Sequence, residues 1–247
     1  MKALIVSEIV DGKLSSGSLE IVSKAEELGL EYQLITLGSE EQPIIGSNSF
    51  KQTYLKRSPN SLQYNKIADF ISNVIKNEQI NLVFGSSTYQ CRDIIAYLSV
   101  DLNSSPVSNV INFSLENDKV ITLNSINGGQ QLYKTEIDSS ISFLLIRPKS
   151  FEPANLELNT DFTTIEIESG NCNVYEIHKE EKAGPQLEDS KVVVSAGRGM
   201  VDVANLELIN KLSEKLNAAI GGTRAIVDAG WMPYSQDRKS TRLNSSH

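Results

Sequence analysis

Histidine, cysteine, basic charge and long apolar runs are all scarce in this chain, and each scarcity removes a class of function. The two histidines, His178 and His247, stand isolated, and the two cysteines, Cys91 and Cys172, lie far apart outside any CxxC spacing. That distribution offers neither a catalytic triad nor a metal-ligand cluster. Cys91 falls in helical register with Ile94, Ile95, Leu98 and Leu102, the pattern of a buried thiol packed as a small hydrophobe. Cys172, beside Gly170 and Asn171, is expected in a turn, and His178 at a strand end. No stretch approaches the ~20 apolar residues that a spanning helix needs. Met1-Lys2 runs straight into Ala3-Leu4-Ile5-Val6-Ser7, too short and too strand-like for a signal-peptide core. A cytoplasmic protein without membrane insertion is the expectation. Lys and Arg number 23 against 31 Asp and Glu, a net charge of −8 with no basic stripe, which argues against a nucleic-acid partner.

What is present is an ordinary soluble composition, 40% hydrophobic and 22% charged over 247 residues, enough for one large domain or two smaller ones. Strand and helix signals alternate through the first hundred residues. Residues 2–10, 31–37 and 81–85 read as strands. Residues 16–29 read as a helix closed by Gly29, and 61–77 as an amphipathic helix carrying Ile67, Phe70, Ile71, Val74 and Ile75. Ser87 and Gln90 fit a capping box for a helix over 89–102. Such repeated units predict a parallel sheet covered by helices, a Rossmann-like α/β domain. Further strands at 119–123, 131–137, 141–147 and 163–168, partly antiparallel, are expected to complete this domain, spanning 1–178. The charged, Gly-Pro-interrupted stretch 179–190, with Glu180-Glu181 and Glu188-Asp189, reads as a solvated linker.

A second α/β unit starts at Lys191. Val192-Val193-Val194 leads into Ser195-Ala196-Gly197-Arg198-Gly199-Met200, and a helical stretch follows with Leu206, Ile209, Leu212, Leu216 and Ala219 at helical spacing. It ends in a second small-residue turn, Gly221-Gly222-Thr223-Arg224-Ala225. Small residues admit a ligand close to the backbone, helix starts offer free N–H donors, and each turn carries an arginine. The spacing is neither GxGxxG nor a P-loop. A plain strand-to-helix turn with a surface arginine accounts for a single Gly-Arg-Gly equally well.

Read together, Val192 to Met200, Leu216 to Ala225 and Val227-Asp228-Ala229-Gly230-Trp231-Met232-Pro233 closely resemble the α subunit of electron-transfer flavoproteins. Phe84-Gly85-Ser86-Ser87-Thr88-Tyr89-Gln90-Cys91-Arg92-Asp93 resembles that family's Thr-x-x-Gly-Arg-Asp helix entrance, with Cys91 where glycine is usual. Asn127-Gly128-Gly129-Gln130 and Phe143 to Phe151 resemble further family segments. The resemblance runs through residues 1–236. It implies that 191–236 opens a second Rossmann-like, FAD-binding domain in which Arg198, Thr223 and Arg224 contact FAD beside Gly197 and Gly199. Arg224 is implied to stabilise the negative charge that develops on the flavin during reduction. A surface ion pair is the competing role for Arg224. Asp228 is expected to be a structural carboxylate of its turn and Trp231 a packing residue.

By the same resemblance the chain is a non-enzymatic electron carrier. It would pair with a β subunit that holds AMP or a second FAD, taking electrons from acyl-CoA or other dehydrogenases and passing them to a quinone reductase or similar acceptor. The stretch after Gln236 departs from the family pattern, lacking a Gln-x-Gly-x-Thr-Gly loop, a Ser-Gly-Ala-x-Gln-His segment and a later Asn. The expectation is therefore an incomplete FAD domain, poor FAD binding by this polypeptide alone, and a non-native tail over 237–247. An adenine-nucleotide-binding module and a non-redox scaffold subunit are the alternatives.

Overall fold

In a computed structural model of the chain, residues 1–10, 12–39, 51–58, 61–117, 119–156, 162–168, 170, 172–176, 187 and 190–237 are described. Two compact units result, Met1–Ile177 and His178–His247. His178, His247, the acidic pairs Glu180-Glu181 and Glu188-Asp189, most of the expected linker and positions 238–247 lie outside the described residues.

The first unit is built on strands that are apolar on both faces. In β1 (Lys2–Val10) the alternation puts Leu4 and Val6 on one side of the sheet and Ala3 and Ile5 on the other, all buried. A strand buried on both faces belongs in a parallel sheet with helices above and below. Among the described residues β1 pairs in parallel with β3 (Glu31–Gly38) and with β6 (Leu82–Ser86). β4 (Gln52–Lys56) extends the sheet beyond β3, and β11 (Thr163–Glu166) extends it beyond β4. On the other side β10 (Ser142–Ile146) follows β6, and β7 (Pro106–Glu116) follows β10, still in parallel. Then β8 (Lys119–Ile126) and β9 (Gln131–Ile137) add an antiparallel meander. The strand order is β11-β4-β3-β1-β6-β10-β7-β8-β9, with the short β2 (Lys13–Leu14) hairpinned onto β1.

Helix α2 (Tyr64–Glu78) buries Ile67, Ile71 and Ile75, and α3 (Tyr89–Asp101) buries Cys91, Ile94, Ile95 and Leu98, on the Leu4/Val6 face. Helix α1 (Ser16–Glu27) lays Ile21, Val22 and Ala25 on the opposite face with Ile5, Phe84 and Phe113. Each such aliphatic side chain contributes about 1.5–3 kcal/mol on burial. The helix boundaries shift by a few residues from expectation. Gly29, at φ 63°, closes α1 as its position predicts. Residues 61–62 do not open α2, because Ser61–Leu62 forms β5, paired antiparallel with β12 (Cys172–Asn173). Cys172 is accordingly a strand residue rather than a turn residue. The cap of α3 is Thr88, whose Oγ1 accepts the Cys91 N–H at 3.2 Å, and not Ser87. The Ser87 hydroxyl is occupied by the Arg92 guanidinium, at 2.9 Å from Nη2.

The second unit holds β13 (Val193–Ala196) and β14 (Ala219–Gly222), parallel to each other, with α4 (Leu206–Leu216) between them in sequence. Ala219 belongs to β14 and not to the helix face, since Asn217 takes φ 47° and ends α4. Ala196, Leu206 and Ile226 form the core of this unit, with Met200, Ile209, Trp231 and Met232 packed against it. Leu212 and Leu216, expected on the apolar face, are about half exposed because a sheet of two strands covers only part of the helix.

Candidate functional site

The chemistry-bearing residues of the second unit collect at the carboxyl ends of β13 and β14. The register Ala196↔Gly222 makes Gly197 and Thr223 the first residues past the paired strands. The Thr223 N–H donates to the Ala196 carbonyl at 2.9 Å. Parallel strands send both connections out from one edge, the edge at which open α/β sheets receive ligands.

The first turn leaves Ala196 through an extended Gly197 and closes in a single 3₁₀ turn, Arg198–Met200, with the Met200 N–H donating to the Gly197 carbonyl at 3.0 Å. Arg198 and Gly199 are exposed. Neither Gly197 nor Gly199 has a left-handed φ, so what these glycines supply is clearance. A Cβ on Gly197 would touch only Thr223, at 3.5 and 3.6 Å, and one on Gly199 would meet nothing within 4 Å. Backbone at this turn is open to a ligand.

In the second turn an extended Thr223 precedes α5 (Arg224–Val227), and its exposed hydroxyl makes no capping bond. The Arg224 side chain is 69% exposed, with Nε 3.6 Å from Asp228 Oδ2, itself 60% exposed. At such exposure the pair is worth at most ~1 kcal/mol, so an anionic ligand recruits the guanidinium at little cost. Asp228 thus serves as the counter-ion of Arg224, where a structural carboxylate was the expectation. The turn it belongs to is held by backbone bonds, Asp228 N–H to Arg224 O at 2.8 Å and Gly230 N–H to Val227 O at 2.9 Å. Trp231 packs against the core of the unit.

Asp237 pairs with Gly222 in an isolated parallel bridge, and both its carboxylate oxygens are buried with no hydrogen-bond partner among the described residues. Sequence reasoning misses Val201, Asp202 and Asn205, which hold the first turn from behind. The one available signal was an asparagine directly ahead of a helix.

The first unit is closed at the corresponding place. Its strand order reverses direction between β1 and β6, the usual crevice of such a sheet. There the Thr88 hydroxyl donates to Glu8 Oε1 at 2.9 Å, and a Cβ on Gly17 would lie 2.5 Å from Ser86 Oγ. Burial pushes the Glu8 carboxyl above its ordinary range, although hydrogen bonds from Thr88 and Cys91 and the charge of Arg57 pull the other way. No group of three or more metal-ligating side chains occurs among the described residues.

The profile described as "Electron transfer flavoprotein domain" matches residues 3–171, and the profile described as "Electron transfer flavoprotein FAD-binding domain" matches residues 186–237. The chain belongs to the electron transfer flavoprotein α-subunit family. A probable mitochondrial electron transfer flavoprotein subunit α of Caenorhabditis elegans is 28% identical over 244 residues, covering 93% of this chain and 71% of that protein. The electron transfer flavoprotein subunit α of Syntrophomonas wolfei is 25% identical over 234 residues, 91% of this chain and 74% of its own length. Protein FixB of Clostridium saccharobutylicum is 23% identical over 252 residues, 92% and 73% of the two chains. Both arginine-bearing turns fall inside the match to the FAD-binding domain. Among the described residues no helix is long and apolar enough to cross a membrane.

Proposed function

We propose that the carboxyl edge of β13 and β14 is the part of an FAD site that this chain carries, with Arg198, Thr223 and Arg224 as its contact side chains and Gly197 and Gly199 as its close-approach positions. The observation that carries the reading is the juxtaposition of two exposed arginines, an unbonded hydroxyl and an uncovered glycine backbone at one sheet edge. These residues fit the cofactor: guanidinium, hydroxyl and backbone N–H groups are the donors that a pyrophosphate or an electron-rich ring edge requires.

What FAD supplies when bound is reversible uptake of electrons. Arg224 would present a permanent positive charge to the electron-rich edge of the bound ring system and favour its reduced, anionic form. Arg198 anchors an anionic group at the glycine turn, and Thr223 offers a hydroxyl to orient it. The chain is then the α subunit of a heterodimeric electron carrier in the cytoplasm. Its partner is a β subunit holding AMP or a second FAD, its donors are acyl-CoA or other dehydrogenases, and its acceptor is a quinone reductase or similar protein. The packed Glu8–Thr88 contact favours this reading over a nucleotide site in the first unit.

An isotope-labelled chain titrated with FAD tests the proposal directly. Binding by this polypeptide alone is expected to be weak, with concentration-dependent chemical-shift changes at the amides of Arg198, Gly199, Thr223 and Arg224 that weaken about tenfold or more in Arg224→Ala. Shifts confined to the first unit, or none at these amides, would refute it.

A further inference from the structure

Met200 is the fixed post of the first turn, and its carbonyl is gripped twice. The Asp202 N–H donates to it at 2.7 Å, and Asn205 Nδ2 donates to it at 2.7 Å. The pair uses both lone pairs of that oxygen. The Met200 side chain meanwhile packs against the Ala196–Leu206–Ile226 core.

Two local rules are broken to achieve this. The Asp202 bond closes a three-residue turn centred on Val201, at φ 67° and ψ −43°. That is the rare form of the γ-turn, and a β-branched residue rarely adopts it. Asn205 immediately precedes α4, where asparagine ordinarily bonds the free N–H groups of the helix start, yet its side chain makes no such bond. Asp202 caps the 3₁₀ turn Val203–Asn205 that leads into α4, its Oδ1 accepting the Ala204 N–H at 2.8 Å. The Asn205 amide is therefore free to reach back five residues. Departures from local preference concentrate where a chain must hold a functional geometry.

We infer that Asn205 is a positioning residue. Through the Met200 carbonyl it holds the Gly197-Arg198-Gly199 turn in the form that receives FAD. The inference rests on the FAD reading above. The Met200 N–H is tied to the Gly197 carbonyl and the Val201 N–H to the Arg198 carbonyl, at 3.0 and 3.1 Å, so fixing Met200 fixes the peptides on either side of Arg198 and Gly199.

The decisive variant is Asn205→Asp, which keeps the size and adds a favourable charge near the start of α4, but cannot donate to Met200. In the ligand-free chain, amide hydrogen exchange at Met200, Val201 and Asp202 is expected to quicken about tenfold while Tm holds or rises. FAD affinity, read from the amide titration, is expected to fall about tenfold, with partial recovery in Asn205→Gln. Unchanged exchange overturns the clasp. Faster exchange with unchanged FAD affinity overturns the positioning role and leaves the FAD reading standing. A wild-type chain whose Arg198 and Thr223 amides ignore FAD overturns that reading, and this inference with it.

Discussion

Alanine in place of Gly199 is expected to stabilise the second unit, and alanine in place of Gly222 to destabilise it, although both glycines lie at the carboxyl edge of one small sheet. At Gly199 a Cβ would meet no atom within 4 Å, and the backbone is not left-handed. The new methyl therefore introduces no clash and narrows the unfolded ensemble, a gain of about 0.4–1 kcal/mol. At Gly222 the same methyl would lie 2.8 Å from Met232 Sδ and 3.2 Å from two carbons of Ile226. The methionine end can swing aside. Ile226, 1% exposed and packed with Ala196 and Leu206, cannot yield without disturbing that core. Overpacking of this kind costs ~1–3 kcal/mol, which outweighs the entropic gain and leaves a net loss of ~1 kcal/mol. Trp231, the only tryptophan in the sequence, sits against this core, so its fluorescence in a urea titration reports the second unit. The expected result is midpoints displaced in opposite directions at constant slope. Two downward shifts, or an upward shift for Gly222→Ala, would show that clearance does not govern these positions. FAD titration adds a functional arm: the more stable Gly199→Ala chain is expected to bind more weakly, because its methyl fills the approach to the backbone.

Three further outcomes follow from the first unit. Glu20, 2% exposed, accepts the N–H groups of Ser150 at 3.0 Å and Phe151 at 3.4 Å, so Glu20→Ala strands two half-buried donors and should cost ~2 kcal/mol by thermal melts in circular dichroism; a loss under ~0.5 kcal/mol would show that the carboxylate does not anchor this loop. Burial holds Glu8 above the ordinary carboxyl value of 4.5, so the folded state binds that proton more tightly than the unfolded chain does. Its stabilisation is complete below 4.5 and disappears as pH rises through the folded value, and Glu8→Gln should flatten that decline; an unaltered slope would contradict the linkage. Burial also pushes the Cys91 thiol up, whereas Cys172 is exposed, so a thiol reagent should modify Cys172 rapidly in the native chain and Cys91 only on unfolding. Two fast thiols would contradict the packing of Cys91.

Helices α1, α2 and α3 were legible because their signal is local: apolar residues three and four apart must face one way on a helix wherever it docks. Strands β4 and β7 were not. Gln52-Thr53-Tyr54-Leu55-Lys56 has no clean alternation, and it becomes a strand because β3 and β11 pair with it from either side. β7 carries polar groups that find partners on the neighbouring strand β8. Asn109 Nδ2 donates to the Ser125 carbonyl at 2.7 Å, and the Ser108 carbonyl accepts from Asn124 Nδ2 at 2.7 Å. The cap of α3 missed by one residue because Ser87 and Thr88 are equivalent donors and acceptors until the Arg92 guanidinium takes one of them.

The candidate site divides in the same way. Gly197, Arg198, Gly199, Thr223 and Arg224 could be named in advance, since small residues and arginines between strand and helix signals form a contiguous pattern. The Arg224–Asp228 pair and the grip of Asn205 on Met200 could not. Each is the outcome of a competition for hydrogen-bond or charge partners. Composition, apolar spacing and short motifs thus determined the α/β class, the helices and the residues offered to a cofactor, because those depend on neighbours a few positions away. Strand order, the Glu8–Thr88 closure and the clasp behind the glycine turn were decided only by tertiary structure, where groups brought together by folding select one partner among several of nearly equal free energy.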